Sequence, residues 1–150
     1  MYGQTEASPR ISYLPLKFLK SKTESIGKGL PGTKIWIENE NKKKIIKPFV
    51  SGELVCKGKN ISLGYCKSRE DLSKSKTNQN VLRTGDLAYF DSDKFFYING
   101  RISRMAKIFG NRINLDELEK RLREKNIISI CKFNNDKILL YIEGRVISEK

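Results

Sequence analysis

Short apolar runs separated by polar turns dominate the first hundred residues of the chain. Four such runs, rich in β-branched and aromatic residues, predict strands at 34–38, 52–56, 87–90 and 95–98. The polar residues 91–94 (DSDK) between the last two runs predict a tight turn, and therefore a β-hairpin. Residues 1–33 contain several Pro and Gly breakers and predict loops with short strands. This part of the chain is expected to be β-rich.

A helical pattern appears only beyond Gly100. A short hairpin is predicted around Gly110 and Asn111, after which Asn114 caps a helix, with Glu117 in the capping-box position. Apolar residues at helical spacing, which form one face of this helix, are Leu115, Leu118 and Leu122. Two further strands are predicted at 127–133 and 137–142, which gives the order ββαββ from about residue 104. The fold class expected for the whole chain is α+β.

Composition narrows the class of protein. The chain has 150 residues, 38% hydrophobic and 31% charged, which is the size of one ordinary domain. The sequence contains no apolar stretch long enough for a membrane span and no signal-peptide pattern, so we expect a cytoplasmic protein without membrane partners. Cys56, Cys66 and Cys131 are widely spaced and His is absent, which argues against a zinc site and favours reduced structural thiols.

The formal net charge of +13 raises the possibility of nucleic-acid binding. Lys supplies most of the basic residues, and it is distributed along the whole chain. This distribution is more typical of a general compositional bias than of a surface built for phosphate. Nucleic acid is therefore disfavoured as a partner, and a basic module that binds a nucleotide or RNA stays an alternative.

Three stretches carry candidate chemistry: YGQTE at 2–6, RTGD at 83–86 and GRISRMAKIFGNRINLDELE at 100–119. Each has a simple structural explanation when it is taken alone, such as a turn or a helix start. In this order, and together with 25–32 (SIGKGLPG) and the segment from Gly52-Glu53-Leu54-Val55 to Gly64-Tyr65, they resemble the adenylate-forming enzymes. This superfamily includes acyl-CoA synthetases, peptide-synthetase adenylation domains and luciferases.

The resemblance implies a domain organisation. Residues 1–102 would be the C-terminal portion of a large AMP-binding domain, its β-rich, distorted barrel-like end. Residues 103–150 would be the ββαββ first half of a small C-terminal lid domain, truncated before its end. The fold would therefore be incomplete.

The resemblance also implies a reaction in two steps. A carboxylic acid and ATP give an acyl-adenylate and pyrophosphate, and a thiol of CoA or of a phosphopantetheine carrier then takes the acyl group. ATP or AMP, Mg²⁺ and the acid would be the ligands. Such a displacement needs a divalent cation on the phosphate oxygens and a carboxylate that holds the cation.

The nucleotide site can be carried over residue by residue. Glu6 matches the family's magnesium ligand, and Thr5 matches a hydroxyl that hydrogen-bonds the α-phosphate, so these two are the candidate catalytic residues. Tyr2 would place its ring against adenine, beside Gly3 in the same nucleotide-binding loop. Asp86 matches the acceptor of the ribose hydroxyls, because an ionised acceptor binds a diol more strongly than a neutral one.

Further positions match the hinge and the lid. Arg101 would be a second ribose contact. Ser103 occupies the hinge position, where the family usually has Asp or Lys. Gly110 would line the channel for the thiol arm, and Lys107 and Arg112 would lie near it, available to pyrophosphate or to a CoA phosphate.

Several family features have no counterpart in the sequence. The phosphate loop, the acid pocket and the catalytic Lys of the lid are not found, so we expect a ligase fragment that is inactive alone. A split ligase that works with a complementary polypeptide is the alternative. A fragment of this kind is also expected to expose apolar residues, namely Ile11, Tyr13, Leu14 and Leu16.

Overall fold

The computed structural model describes residues 1–73, 80–108 and 111–144. The chain divides into two compact units, Met1–Asn99 and Gly100–Lys150, and each is described on its own. The domain boundary predicted between residues 102 and 103 stays a prediction.

The first unit begins with a small antiparallel sheet. Its strands are β1 (Tyr2–Gly3), β2 (Arg10–Tyr13) and β3 (Lys28–Gly29), in the order β1-β2-β3. The breakers between these strands keep them short, as the sequence predicts for residues 1–33. A 3₁₀ turn at Thr5–Ala7 connects the first two strands.

A five-stranded sheet forms the main body of the first unit, with the order β5-β4-β6-β7-β8. Its strands are β4 (Lys34–Glu38), β5 (Lys44–Ile45), β6 (Gly52–Lys57), β7 (Val81–Phe90) and β8 (Phe96–Arg101). Strand β4 pairs antiparallel with both β5 and β6, and β6 pairs antiparallel with β7. Burial alternates along most of β7, because successive side chains of a strand point to opposite faces.

Two hydrophobic clusters hold the first unit together. One consists of Ile37, Leu54, Ala88, Phe90 and Phe96 on the large sheet. The other consists of Ala7, Ile11, Cys56 and Ile61. Tyr2 and Ile35 pack against both clusters, so the small sheet and the large sheet share one core region. Fully burying one such aliphatic side chain contributes about 1.5–3 kcal/mol.

The expectation that this unit exposes apolar residues near its start is right only in part. Tyr13 is 41% exposed and Leu16 85% exposed, and Leu14 is half-buried. Ile11 is fully buried, so the prediction is wrong for this residue. The reason is that β2 packs its inner face against β6 and the 3₁₀ turn, which cover Ile11 within the unit.

The predicted turn between β7 and β8 is built on Asp91. One oxygen of its carboxylate accepts hydrogen bonds from the backbone N–H groups of Asp93 (3.0 Å) and Phe95 (2.9 Å). The other oxygen accepts from Lys22 Nζ at 2.6 Å and from the Tyr97 hydroxyl at 3.1 Å. Burial opposes ionisation of this carboxyl, but these bonds outweigh it and lower the pKa of Asp91.

The described part of the second unit has the predicted order ββαββ: β9 (Met105–Ile108), β10 (Asn111–Asn114), α1 (Leu115–Glu124), β11 (Ser129–Asn134) and β12 (Lys137–Ile142). Asn114 caps α1, because its side-chain oxygen accepts from the backbone N–H of Asp116 at 2.9 Å. Glu117, expected in a capping box, accepts a hydrogen bond from Arg121 one turn further on. The buried core consists of Ala106, Leu115 and Cys131.

Arg104 connects three elements of the second unit. Its guanidinium donates to Asp116 Oδ1 at 2.7 Å, to Glu119 Oε1 and to the carbonyl oxygen of Cys131 at 2.8 Å. These bonds join the 3₁₀ turn Ile102–Arg104, immediately before β9, to α1 and β11. Because the rigid guanidinium fork offers several donors in fixed directions, one side chain can fasten three elements.

The α+β class is confirmed: sheets predominate, and the described residues contain one α-helix, α1. In this part of the chain the strands form open sheets rather than a closed barrel, so the barrel-like end implied by the resemblance is present only as an open sheet.

No helix in the described ranges is long and apolar enough to cross a membrane. All three cysteines are free thiols, with Cys56 and Cys131 buried and Cys66 exposed.

Candidate nucleotide site

The carboxylate of Asp86 is the point at which two of the sequence motifs meet. The Tyr2 hydroxyl donates to Asp86 Oδ2 at 2.5 Å, across 84 positions of sequence. The side chain of Gln4 donates to the same oxygen at 3.0 Å, and it also donates to the carbonyl oxygen of Thr84 at 3.0 Å. Strand β7 therefore carries the carboxylate, and two side chains from the start of the chain donate to it.

A local irregularity in the large sheet positions Asp86. The pairing of β6 with β7 shifts register between Glu53 and Val55, opposite the RTGD motif, where Gly85 has a φ of +71°. The backbone N–H of Gly85 donates to the Glu53 side chain at 3.0 Å. Such bulges redirect the side chains of a strand. Here the irregularity lies immediately before Asp86, which is only 6% exposed.

Thr84 fixes the backbone beside the carboxylate. Its hydroxyl donates to the carbonyl oxygen of Leu54 at 2.8 Å and accepts from the backbone N–H of Asp86 at 3.1 Å. The motif therefore lies within strand β7 and is not an isolated turn. At this irregular position the Thr84 hydroxyl accepts from the Asp86 N–H, in the place of the backbone partner of a regular strand pair.

The environment of Tyr2 keeps its phenol protonated. Its ring packs against both hydrophobic clusters of the first unit. Burial, and then the hydrogen bond to Asp86, raise the pKa of Tyr2 well above its usual value. Tyr2 is therefore a permanent donor to Asp86 at physiological pH. The stacking of its ring on adenine stays a prediction.

Gly3 is required by the close approach of two strands. A Cβ atom built on Gly3 would lie 1.7 Å from the carbonyl oxygen of Pro9. Strand β1 pairs there with β2, with Gly3 opposite Arg10. Any side chain would push β1 away from β2, and with it the neighbouring Tyr2. The packing of β1 against β2 therefore requires glycine at this position, independently of any contact with a ligand.

Thr5 and Glu6 lie in the 3₁₀ turn that follows β1. The Glu6 carboxylate accepts a hydrogen bond from the Tyr65 hydroxyl, and this bond raises the pKa of Tyr65. The carbonyl oxygen of Glu6 accepts from the backbone N–H of Ser62 at 2.8 Å. The segment ending in Gly64-Tyr65 is therefore brought to the predicted metal ligand, while Thr5 is exposed.

The donor set around Glu6 suits a magnesium ion that is shared with a nucleotide. In the described ranges of the chain, no cluster of three or more His, Cys, Asp or Glu side chains could form an all-protein metal cage. Mg²⁺ usually takes one or two carboxylates from the protein and completes its shell with water and substrate phosphates. A single half-buried carboxylate such as Glu6 fits this mode of binding.

The predicted hinge and lid residues lie in the second unit. Arg101 ends β8, and Ser103 lies in the 3₁₀ turn Ile102–Arg104; both are exposed. Lys107 of β9 and Arg112 of β10 are direct cross-strand partners, so the hairpin brings these two predicted phosphate ligands together. Gly110, predicted to line the thiol channel, lies outside the described residues.

Four residues of this site received no role from the sequence: Gln4, Glu53, Tyr65 and Thr84. All four stand inside the stretches quoted for the resemblance, so their position was a usable signal. Glu53 and Tyr65 act through contacts with residues 32 and 59 positions away, respectively. Sequence spacing alone does not reveal such contacts.

The open sheet, the Tyr2–Asp86 contact and the following ββαββ unit define a part of an adenylate-forming enzyme. Residues 1–66 match the family model described as AMP-binding enzyme. The chain belongs to the adenylate-forming superfamily, as its motifs suggest. It covers only part of the fold of the enzymes that it matches.

Curated relatives of the chain include 2-succinylbenzoate–CoA ligases of Bacillus species. The chain is 35% identical over 119 residues to 2-succinylbenzoate–CoA ligase of Bacillus cereus (strain AH820), covering 79% of this chain and 24% of the relative. The corresponding enzyme of Bacillus cytotoxicus (strain DSM 22905 / CIP 110041 / 391-98 / NVH 391-98) is 36% identical over the same shares. The chain therefore spans about a quarter of the length of these curated relatives.

Solved structures of O-succinylbenzoate coenzyme A synthetase from Bacillus subtilis have the same fold over this region. The unliganded form aligns with a TM-score of 0.70 at 29% identity, covering 98% of this chain and 33% of that one. The form in complex with ATP and magnesium ion aligns with a TM-score of 0.70 at 28% identity, covering 94% and 30%.

Proposed function

We propose that this chain is the ribose- and metal-binding part of an AMP-forming acid–CoA ligase, which makes an acyl-adenylate from a carboxylic acid and ATP and passes the acyl group to a thiol. The observation that carries the proposal is the meeting of Tyr2 and Gln4 on Asp86. Pairing of the strands does not by itself require that two side chains from the start of the first unit donate to one buried carboxylate near its end.

Asp86 is the proposed acceptor for the ribose hydroxyls. Hydrogen bonds to an ionised acceptor are roughly twice as strong as bonds between neutral groups. Tyr2 and Gln4 fix the orientation of the carboxylate before a ligand arrives, which lowers the entropy cost of binding. Tyr2 would also contact adenine with its ring, and Gly3 allows β1 to approach β2 closely enough to keep the phenol in place.

Glu6 and Thr5 are the proposed phosphate-side residues. Glu6 would hold Mg²⁺ together with the phosphates of ATP, and Thr5 would donate to the α-phosphate. The cation would supply neutralisation of the negative charge that builds up on the phosphate oxygens. Tyr65 keeps the Glu6 carboxylate oriented by donating to it.

The second unit is proposed to serve as the lid. Arg101 would contact the ribose and Ser103 would act as the hinge between the two half-reactions. Lys107 and Arg112, paired across the β9–β10 hairpin, would bind pyrophosphate or a phosphate of CoA. Gly110 would line the passage for the thiol arm of CoA or of a phosphopantetheine carrier.

Adenylation is proposed to require more protein than this chain. It spans about a quarter of its curated relatives, and neither a phosphate loop nor a lid lysine is found in its sequence. We propose that the chain binds nucleotide but does not adenylate alone, and that a complementary polypeptide carrying the other parts would restore the reaction. The exposed side chains of Leu16 and Ile46 support a covered surface in such an assembly.

Nucleotide binding by the chain tests the ribose site. AMP affinity, measured by isothermal titration calorimetry, should fall about tenfold or more in Asp86→Asn, because a charge-assisted bond is lost. Tyr2→Phe keeps the ring and removes the hydroxyl, and should weaken binding about fivefold. Matched controls are Asp136→Asn and Tyr141→Phe, both on exposed residues of the second unit. Equal affinities in all four variants would refute the ribose site.

The activity proposal is tested separately by acid-dependent exchange of pyrophosphate into ATP. The chain alone should give no exchange with 2-succinylbenzoate or with other carboxylic acids. Adding a polypeptide that supplies the phosphate loop and acid pocket should produce exchange that Glu6→Gln abolishes. Exchange by the chain alone would contradict the proposed inactivity, and its absence from the mixture would contradict the complementation.

A further inference from the structure

A basic groove lies on the first unit, away from the residues assigned to the nucleotide. It encloses about 710 Å³. Lining residues come from six of the strands of this unit and from the loops beside them: Lys28, Gly29, Thr33, Lys34, Ile35, Trp36, Lys44, Lys57, Val81, Lys94 and Phe96. None of the residues proposed to bind nucleotide or metal is among them, so the groove is a second candidate site.

The charge of the groove is of one sign. Five of its lining residues are lysines and none is acidic. Among the described residues, the ion pairs of this unit involve Lys22 and Arg83 and none of the five groove lysines. The carboxylate of Glu38, cross-strand neighbour of Lys44, is occupied by Arg83 and by the indole N–H of Trp36. A concave surface with this charge concentrates anions.

The arrangement of two of these lysines goes beyond the general abundance of Lys in the chain. Lys34 and Lys57 are direct partners across β4 and β6. Like charges directly opposite each other on neighbouring strands destabilise a sheet. A lysine bias alone does not place like charges directly opposite each other. This pair, although exposed, is held in register at the groove, where a bound anion would relieve the repulsion.

The groove also contains aromatic and apolar surface. The Lys44 ammonium lies 4.6 Å from the centroid of the Trp36 ring, which orients it at the groove. Phe96 and Val81 contribute further apolar surface. A volume of about 710 Å³ is within the range of roughly 300–1,000 Å³ that is usual for small-molecule sites. The combination suits a compact, phosphate-dense molecule.

We propose that this groove binds a small polyphosphate anion, either inorganic polyphosphate or the phosphate chain of a nucleoside polyphosphate, at a site distinct from Asp86 and Glu6. The five lysines neutralise the phosphates, and the apolar side chains exclude water on one side. The binding is therefore salt-dependent and does not need Mg²⁺.

Trp36 makes the test specific for the groove, because it is the only Trp of the chain. Intrinsic fluorescence is titrated with tripolyphosphate in EDTA, with the full chain and with Lys34→Gln/Lys57→Gln. The expected loss of affinity in this variant is roughly tenfold or more. The control Lys20→Gln/Lys47→Gln removes the same charge from exposed lysines outside the groove and should change affinity by less than about twofold. Equal losses in both variants, or no fluorescence response at all, would overturn the proposal.

Two further measurements sharpen the outcome. Thermal unfolding of Lys34→Gln/Lys57→Gln should occur at the same or a higher temperature than in the unsubstituted chain, because a repulsive pair is removed. In titrations of Asp86→Asn, tighter binding of tripolyphosphate than of ATP would identify inorganic polyphosphate as the source, and tighter binding of ATP would identify a nucleotide. A single-stranded oligonucleotide that binds much more tightly than both would overturn the proposal in favour of nucleic acid.

Discussion

At the residue scale, the candidate site depends on positions whose side chains are constrained on more than one side. Tyr2 places its ring in the core and its hydroxyl on Asp86, so packing and chemistry are combined in one residue. Gly3 next to it has no space for any side chain. Such residues are sensitive to small changes, because moving either of them displaces the hydrogen bond to the carboxylate.

Gly3→Ala is expected to destabilise the first unit and to weaken AMP binding together. The added Cβ would lie 1.7 Å from the Pro9 carbonyl oxygen, and a backbone atom cannot move aside as a side chain can. We expect a loss of about 2–3 kcal/mol in the free energy of unfolding, at the upper end of overpacking effects. Chemical denaturation and calorimetric titration measure the two effects.

The comparison for this substitution is Gly32→Ala. Gly32 has a φ of +83° and open space around its Cβ position, so its substitution costs backbone strain alone. It should leave AMP binding unchanged. If Gly3→Ala were no more harmful than Gly32→Ala, the close approach of β1 and β2 would not be needed in solution.

At the scale of elements, the turn between β7 and β8 shows how a carboxylate can organise a hairpin. Asp91 accepts from two backbone N–H groups of its own turn and from Lys22 and Tyr97 outside it. It is 6% exposed, so these bonds are shielded from water. The same turn also holds Asp93, which contacts Lys22 at the surface.

Asp91→Asn should lower the stability of the chain in a pH-dependent way. The folded-state pKa of Asp91 is depressed, so its stabilising effect is present above the unfolded pKa of about 3.9 and is lost as the pH falls through the folded value. At pH 7 we expect the substitution to cost about 1–3 kcal/mol. The difference from the unsubstituted chain should shrink below about pH 4. Urea unfolding at several pH values measures this.

Asp93→Asn provides the control in the same turn. Its side chain is 67% exposed, and an exposed ion pair contributes little. Its effect should stay below about 1 kcal/mol at every pH. A pH profile for Asp91→Asn as flat as that of Asp93→Asn would show that the buried carboxylate does not stabilise the turn through its charge.

The elements themselves were largely predictable because their signals are local. Short apolar runs rich in β-branched and aromatic residues predicted β4, β6, β8 and the last four residues of β7, and Asn114 marked the start of α1. The irregular pairing opposite Asp86 was not predictable, since it depends on Glu53 in a different strand. For the same reason the burial of Ile11 was missed, because its cover comes from β6.

The candidate site was predictable only through its motifs. Tyr2, Glu6 and Asp86 were selected by resemblance, and the structure brings Tyr2 and Asp86 into contact. The role of Gln4 as a second donor to Asp86 could not be predicted from the sequence, because an amide has no spacing signature of its own. The function assigned to each of these residues stays a prediction.

At the scale of the whole molecule, exposed apolar side chains set the solution behaviour of the chain. Leu16 is 85% exposed and Ile46 is 89% exposed in the first unit. In the second unit the paired residues Ile130 and Tyr141 are 65% and 56% exposed. Exposed apolar surface of this kind promotes association.

Replacing both Leu16 and Ile46 by Ser should reduce self-association without loss of stability. Neither side chain belongs to a core cluster, so the unfolding midpoint should change little. Sedimentation velocity over a range of concentrations measures the effect. The matched control changes the neighbouring exposed residues, as Lys17→Ser/Lys47→Ser, and should not reduce association. Equal behaviour of the two double variants would mean that association has another cause.

The bond between Tyr2 and Asp86 has a consequence for folding. It closes a loop of 84 positions, and the entropy cost of closing long loops makes such contacts form late. We therefore expect the candidate ribose site to be completed only after β6 and β7 have paired and β1 has docked. A chain in which only the five-stranded sheet had formed would lack the hydrogen bond from Tyr2 to Asp86. The rate at which nucleotide binding appears during refolding would therefore report the docking of β1 rather than the formation of the sheet.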